Sequence, residues 1–301
     1  MDLRNSAPFI GMPLLLIAVQ AGALLLTPQM QSAGIAAFED PASFGNTLIF
    51  IGILLGFTLI LLLLIRWGGK RLIAAIIAAS IFFTFIYIFT ALTVFVFGGA
   101  LIGTVATFLL AACATAVLYR YPEWYVIDTL GVLIAAGVAS IFGISLEIAP
   151  VLILLVLLAV YDAISVYKTR HMIALAENIV EMKAPILVVI PKSRNYSYIK
   201  EGLSLDKSER GAFIMGMGDL IMPSILVVSV HAFLDAPLVF GLLSLPTVGT
   251  ILGSLAGLAV LLYYVNRGNP QAGLPTLNGG AIAGFLIACL LTGSWGWIPG
   301  I

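Results

Sequence analysis

Charged residues are scarce in this sequence, and so are cysteine and histidine. Only 9% of the 301 residues are charged, whereas 61% are hydrophobic. A soluble domain carries about a quarter charged residues, so the composition excludes an ordinary soluble globular protein. The formal net charge is zero, which gives no argument for a nucleic-acid partner, and we expect none.

The two cysteines and two histidines offer little for thiol or metal chemistry. Cys113 and Cys289 both lie in apolar runs, where cysteine is typical of a small packing residue rather than of a disulfide framework. The sequence also contains no CxxC, HExxH or Walker motif. We therefore expect no metal and no cofactor.

Long apolar runs make up most of the chain instead. Each has roughly 18 to 25 residues, the length that a helix needs to cross the hydrocarbon core of a bilayer. The runs are continuously apolar rather than alternating, which indicates helices and not barrel strands. We predict an all-α, multi-pass membrane protein in the lipid bilayer. Its nine predicted spans are 8–26, 47–65, 72–96, 99–119, 126–145, 149–167, 211–231, 238–263 and 276–295.

The positions of lysine and arginine predict how the bundle is oriented. If the N-terminus is cytoplasmic, all fourteen basic residues fall in the inside segments. We therefore predict that the N-terminus lies inside and the C-terminus outside. The inside segments are then 1–7, 66–71, 120–125, 168–210 and 264–275.

The long loop 168–210 divides this single membrane domain into a six-span portion, 1–167, and a three-span portion, 211–301. Apolar residues at helical spacing predict an amphipathic helix over 171–183. A β-branched run between two prolines then predicts a short strand. The strand either packs on the bundle or presents an edge that pairs with an extended peptide. Its residues are Ile186, Leu187, Val188, Val189 and Ile190.

A glycine repeats every four residues in the eighth predicted span, at Gly249, Gly253 and Gly257. Such a ridge lets helices approach closely. Packing within the bundle is the favoured interpretation, and contact with a second protomer in a homo-oligomer is the alternative.

Two aspartates stand out because an ionisable side chain inside a membrane span is expensive and usually functional. Asp162 lies five residues from the end of the sixth span, about 8 Å deep, and Asp219 lies eight residues into the seventh, about 12 Å deep. Consecutive spans are usually neighbours in space, so the two carboxyls are predicted to converge. Asp128, near the start of the fifth span, is interpreted as a helix cap or a headgroup contact.

Two carboxyls that close share a proton, which supplies a general base and a general acid together, as in aspartic proteases. Gly216 and Gly218 lack side chains, so a neighbouring helix or a substrate backbone can approach Asp219. Tyr161, beside Asp162, either positions a substrate or fills space. A transporter or channel that binds a cation or relays protons is the alternative use of the same pair.

Tyr161-Asp162 and Gly216-Met217-Gly218-Asp219 resemble the YD and GxGD motifs of the presenilin and signal peptide peptidase family of intramembrane aspartyl proteases. The predicted nine-span order and orientation also fit that family. A third family motif, Pro-Ala-Leu, is matched by Pro275 and Leu277, with Thr276 in place of alanine. The short loops make the chain look like an archaeal presenilin homologue.

The resemblance implies a presenilin-like fold in a prokaryotic cell membrane, with Asp162 and Asp219 as the catalytic pair. It also implies that Pro275, Thr276 and Leu277 help to admit and orient the substrate. The expected reaction is hydrolysis of peptide bonds in transmembrane helices of other membrane proteins, with water as the only co-reactant.

Overall fold

In the computed structural model, the chain is a bundle of long helices with two small antiparallel sheets. The structure describes residues 3–67, 69–169, 187–192, 196–201, 211–239, 241–266 and 271–298. The helices are α1 (Leu3–Ser32), α2 (Phe44–Arg66), α3 (Lys70–Phe97), α4 (Leu101–Arg120), α5 (Trp124–Ser145), α6 (Ile148–Ile164), α7 (Tyr198–Glu201), α8 (Met217–Phe233), α9 (Leu245–Asn266) and α10 (Gly273–Thr292). The strands are β1 (Leu187–Pro191), β2 (Ala212–Gly216), β3 (Leu238–Val239) and β4 (Leu243–Ser244).

The prediction of a helical, multi-pass membrane protein is confirmed. Within the described residues, eight helices are long and apolar enough to cross a membrane. The shorter helix α8 is also apolar and has 17 residues, a length of about 26 Å at the usual rise per residue. The count of nine spans and their orientation stay predictions.

Two predicted span boundaries are wrong. The seventh span was expected to begin at 211, but 212–216 form strand β2 and the helix begins at Met217. The eighth was expected to begin at 238, but β3 and β4 form a hairpin there and α9 begins at Leu245. In both places a short apolar run joins the helix, and periodicity alone does not distinguish a short strand from the helix that follows it.

Helix α5 lies at the centre of the bundle and is the most buried of the eight long helices. Two of its glycines admit side chains from neighbouring helices. A Cβ atom on Gly137 would overlap Ile88 of α3, and one on Gly143 would overlap Val228 of α8. Helix α5 therefore contacts both portions of the chain and can position elements on either side of it.

The glycine ridge of α9 packs against α10. A Cβ atom on Gly249 would lie 2.6 Å from the carbonyl oxygen of Gly284, and one on Gly253 would overlap the carbonyl oxygen of Gly280. The interpretation of this ridge as packing within the bundle is confirmed. The close fit of α9 against α10 holds the start of α10, where the two aspartates meet.

The predicted strand is confirmed for Leu187 to Ile190, and it extends to Pro191. It pairs with β2 in antiparallel register, with Val189 opposite Ile214. Ile186 and the predicted amphipathic helix over 171–183 lie outside the described residues. The sheet joins the end of the long loop directly to α8, because Gly216 ends β2 and Met217 begins the helix.

Candidate active site

Asp162 lies near the end of α6 and is only 6% exposed. The helix continues beyond Ile164 as one π-helical turn, Ser165–Thr169, an irregularity that is frequent near functional sites. The Oδ2 atom of Asp162 accepts a hydrogen bond of 3.1 Å from the backbone N–H of Leu274. That N–H belongs to the first turn of α10, where backbone donors have no partner within the helix. The start of α10 thus satisfies one oxygen of a buried carboxyl.

Asp219 is the third residue of α8, in its first turn. The prediction placed it eight residues into the span. That position within the helix is wrong, because β2 takes up the residues that were assigned to the beginning of the helix. Gly216 is the N-cap residue, with extended backbone angles. A carboxylate near the start of a helix is favoured by the helix dipole.

The two carboxyls converge, as predicted, and the structure shows that they do so at the first turn of α10. Leu274 donates its N–H to Asp162, and its neighbour Gly273 lies against Asp219. A Cβ atom on Gly273 would lie 2.7 Å from both carboxyl oxygens of Asp219. The two carboxyls are also close enough to interact electrostatically. Three chain segments, the end of α6 and the starts of α8 and α10, therefore build one site.

The third motif lies in this same turn. Pro275 is the third residue of α10, a position where a missing backbone N–H breaks no helical bond. The hydroxyl of Thr276 donates a hydrogen bond of 2.9 Å to the carbonyl oxygen of Gly273. The hydroxyl group that distinguishes Thr276 from the alanine of the family motif therefore has a partner within the same turn. Leu277 is fully buried in an apolar cluster with Leu220 and Leu258. Pro275 and Thr276 are thus near the carboxyls, whereas Leu277 anchors the turn in the core.

The two glycines of the GxGD motif face open space. A Cβ atom on Gly218 would meet nothing within 4 Å, and one on Gly216 would lie 3.7 Å from Asp219 Oδ2, an ordinary contact. Among the described residues, no neighbouring helix contacts Gly218, and the approach of a substrate to these glycines stays a prediction. Tyr161 is half-buried next to Asp162 in α6, and its role stays a prediction.

Sequence reasoning missed two residues of this region. Gly273 was not singled out, although a glycine two residues before the third motif is a visible signal. Asp128 was interpreted as a helix cap or a headgroup contact, and that interpretation is wrong. It is 8% exposed, and its Oδ1 atom accepts a hydrogen bond of 2.9 Å from the N–H of Val189 in β1. The signal was a third carboxylate inside a predicted span.

The described part of the chain contains no candidate metal-binding site. No three His, Cys, Asp or Glu side chains form a group there that could hold a metal ion. The absence of a cofactor stays an expectation from the sequence.

The comparison with protein families decides the identity. The family described as signal-peptide peptidase, presenilin aspartyl protease matches residues 12–294. The chain belongs to this family. It is therefore an aspartic endopeptidase and a multi-pass integral membrane protein, which confirms the resemblance carried by its YD and GxGD motifs. Family membership gives no support to the transporter alternative.

Solved structures agree with the presenilin assignment. One, described as a presenilin family intramembrane aspartate protease in space group C222, is 57% identical with a TM-score of 0.72, and covers 94% of this chain and 99% of its own. A second, in space group P2, is 54% identical with a TM-score of 0.70, and covers 94% and 98%. No curated protein matches the chain. The likeness thus extends over nearly the whole of both chains.

Proposed function

We propose that Asp162 and Asp219 hydrolyse peptide bonds within transmembrane helices of other membrane proteins, with water as the only co-reactant. The observation that carries this proposal is the convergence of both carboxyls on Gly273 and Leu274 at the start of α10. Pro275 and Thr276 would help to orient the substrate from the same turn, and Tyr161 from beside Asp162. The chemistry requires one protonated and one ionised carboxyl, which is the state that two close carboxyls adopt.

The reaction follows from one shared proton. The ionised carboxyl takes a proton from water as the water oxygen bonds to the carbonyl carbon, and the protonated carboxyl gives its proton to the carbonyl oxygen. The resulting gem-diol then collapses. One of its hydroxyls gives a proton to the carboxyl that is now ionised, and the carboxyl that is now protonated gives its proton to the leaving nitrogen. The C–N bond breaks, one water is consumed, and the dyad regains its starting protonation.

A substrate helix must first unwind. Its backbone N–H and C=O groups are closed in helical hydrogen bonds, because lipid offers no other partners. An unwound segment needs replacement partners, and the open edge of a sheet offers them. The β1–β2 sheet ends at Gly216, three residues before Asp219. A peptide added to this sheet would run directly past the carboxyls.

The described contacts favour the outer edge of β2, rather than 186–190 themselves, as the edge that receives the substrate. Val189 lies opposite Ile214, yet its N–H points away from β2, to Asp128. The pair is therefore of the non-hydrogen-bonded kind, so the N–H and C=O of Ile214 point to the far side of β2. Strand β1 lies against α5 and α1, whereas β2 contacts β1 and the start of α8.

Replacing Ile214 with proline is expected to lower kcat/KM about fivefold relative to Ile214→Ala, the effect of losing about one main-chain hydrogen bond. Proline removes the outward N–H and leaves the β1–β2 bonds intact, whereas alanine keeps the N–H. The measurement is cleavage of a single-span substrate in liposomes. Equal kcat/KM for the two variants, with equal thermal stability, would rule out β2 as the receiving edge.

Proteolysis by the purified protein tests the proposal as a whole. The protein is reconstituted in liposomes with a single-span substrate, and the products are weighed by mass spectrometry. We expect two product families whose masses place the cut inside the apolar segment of the substrate. Ion-dependent uptake by the same liposomes without any cleavage would contradict the proposal.

A further inference from the structure

Helix α5 contributes a carboxylate that the proposed chemistry does not use. Asp128 lies in a helix that has no other charged residue, and it is 8% exposed. An unpaired carboxyl in such a place is strongly disfavoured. Among the described residues, its partner is a single backbone group, the N–H of Val189, at 2.9 Å. This N–H is on the outer edge of β1, the edge that faces away from β2. The side chain of Asp128 thus stands where a third strand would otherwise offer a carbonyl oxygen.

A second carboxylate at the same end of α5 holds the chain that follows β1. Glu123, the N-cap residue of α5, is 9% exposed. It accepts a hydrogen bond of 2.7 Å from the hydroxyl of Ser197 and one of 3.1 Å from the N–H of Tyr198. Tyr198 is itself buried and begins α7. The start of α5 therefore fixes the described loop at two points, on β1 and at α7.

A third contact joins α5 to the start of α8, the helix that follows the other strand. Gly131, less than one turn after Asp128, leaves room for Met217, the first residue of α8. A Cβ atom on Gly131 would lie 2.6 Å from the terminal methyl of Met217. Ala135, one turn further, is buried in the same apolar cluster as Val188 and Met217. One face of α5 therefore positions both β1 and the junction where β2 becomes α8.

We infer that Asp128 is a positioning residue that closes the outer edge of β1, so that the sheet can accept a substrate strand only at β2. The inference rests on the proposed function, because it directs the substrate to the strand that leads into Asp219. Both outer edges of a two-stranded sheet carry unpaired N–H groups. Asp128 satisfies that of Val189, while that of Ile214 has no acceptor among the described residues and is available to an incoming strand.

The inference has a geometric part, that Asp128 closes the outer edge of β1. Amide hydrogen exchange of the wild-type protein tests this part without any measurement of activity. We expect the Val189 N–H to exchange at least about tenfold more slowly than the Ile214 N–H, because it is held in a hydrogen bond to Asp128 Oδ1, whereas the Ile214 N–H points to the far side of β2. Single amides are resolved by fragmentation mass spectrometry after labelling in detergent micelles. Equal exchange at Val189 and Ile214 would overturn the inference.

Three variants test the functional part of the inference, that Asp128 directs the substrate strand to β2. Asp128→Asn keeps an acceptor oxygen, Asp128→Leu removes it at similar size, and Ser140→Ala is the matched control. Ser140 lies on the same helix and shares a buried hydrogen bond with Thr27 of α1, away from the sheet. We expect the Leu variant to lose at least about tenfold in kcat/KM, since about a 1 Å misplacement of a substrate can cost more than that. We also expect the masses of its cleavage products to shift.

The shift in product mass distinguishes positioning from stability, because a smaller folded fraction lowers the rate without moving the cut. The Asn variant should keep the wild-type masses and a kcat/KM within about threefold, since its amide oxygen can accept the same bond. Wild-type masses from the Leu variant, or an Asn variant as impaired as the Leu variant, would overturn the inference. A wild-type protein that cleaves no substrate would instead contradict the proposed function, and it would not affect the exchange result.

Discussion

Replacing Asp162 or Asp219 with asparagine is expected to lower the cleavage rate by about 10⁴-fold, the upper range for loss of one acid–base group. An amide neither takes a proton from water nor gives one to a carbonyl oxygen, and the two carboxyls act as a unit. At position 162 an asparagine oxygen can still accept from the Leu274 N–H, so the bundle should stay folded. The measurement is initial cleavage rate in liposomes, with thermal unfolding in detergent as the check on folding.

The matched control for these variants is Asp235→Asn, which neutralises an exposed carboxyl between α8 and β3. It should cleave at the wild-type rate. Cleavage above one-hundredth of the wild-type rate by either Asp162→Asn or Asp219→Asn would show that the dyad is not the catalytic pair.

Gly273→Ala is expected to lower kcat about 100-fold, with a smaller change in KM. The added Cβ would lie 2.7 Å from both oxygens of Asp219, a distance that real Cβ contacts do not show, so the carboxyl or the helix start must shift. A displacement of about 1 Å in a catalytic group can cost 10²-fold in rate. The measurement is kcat and KM for a single-span substrate under the same conditions as wild type.

Gly279→Ala is the control for that variant. Gly279 lies on the same helix and is exposed, and a Cβ atom there would meet nothing within 4 Å. It should match the wild type in kcat and gain slightly in helix stability, because alanine is the better helix former. A Gly273→Ala variant with the same kcat as Gly279→Ala would show that Asp219 does not need the contact with the start of α10.

The membrane fold and the carboxyl pair were predictable because both follow from large energies. Burying a charged side chain in lipid and leaving backbone groups unpaired there are each costly, so apolar runs predict helices and intramembrane carboxylates predict a site. The convergence of Asp162 and Asp219 followed from their places in consecutive spans. The family motifs added the third segment, Pro275 to Leu277.

The details next to the carboxyls were not predictable in the same way. Residues 212–216 are apolar whether they begin a helix or form a strand, and only the pairing with 187–191 decides between the two. That pairing is a long-range contact, which local pattern does not encode. The predicted position of Asp219 within its helix was wrong for this reason.

Gly273 and Asp128 illustrate a second limit. Each acts through one contact to a residue far along the chain, Gly273 through Asp219 and Asp128 through Val189. A glycine two residues before a proline is typical of an ordinary helix start, and an aspartate near a span end is typical of a cap. Only the packed arrangement of α5, β1, α8 and α10 distinguishes these roles from the ordinary ones.

Hydrolysis in H₂¹⁸O tests the central claim most directly. The purified protein in liposomes cleaves a single-span substrate in labelled water, and both products are sequenced by mass spectrometry. The account predicts one ¹⁸O atom in the new carboxyl terminus, at a position inside the apolar segment, and no label in the new amino terminus. Intact substrate after prolonged incubation with folded protein, or cuts confined to residues outside the bilayer, would contradict it.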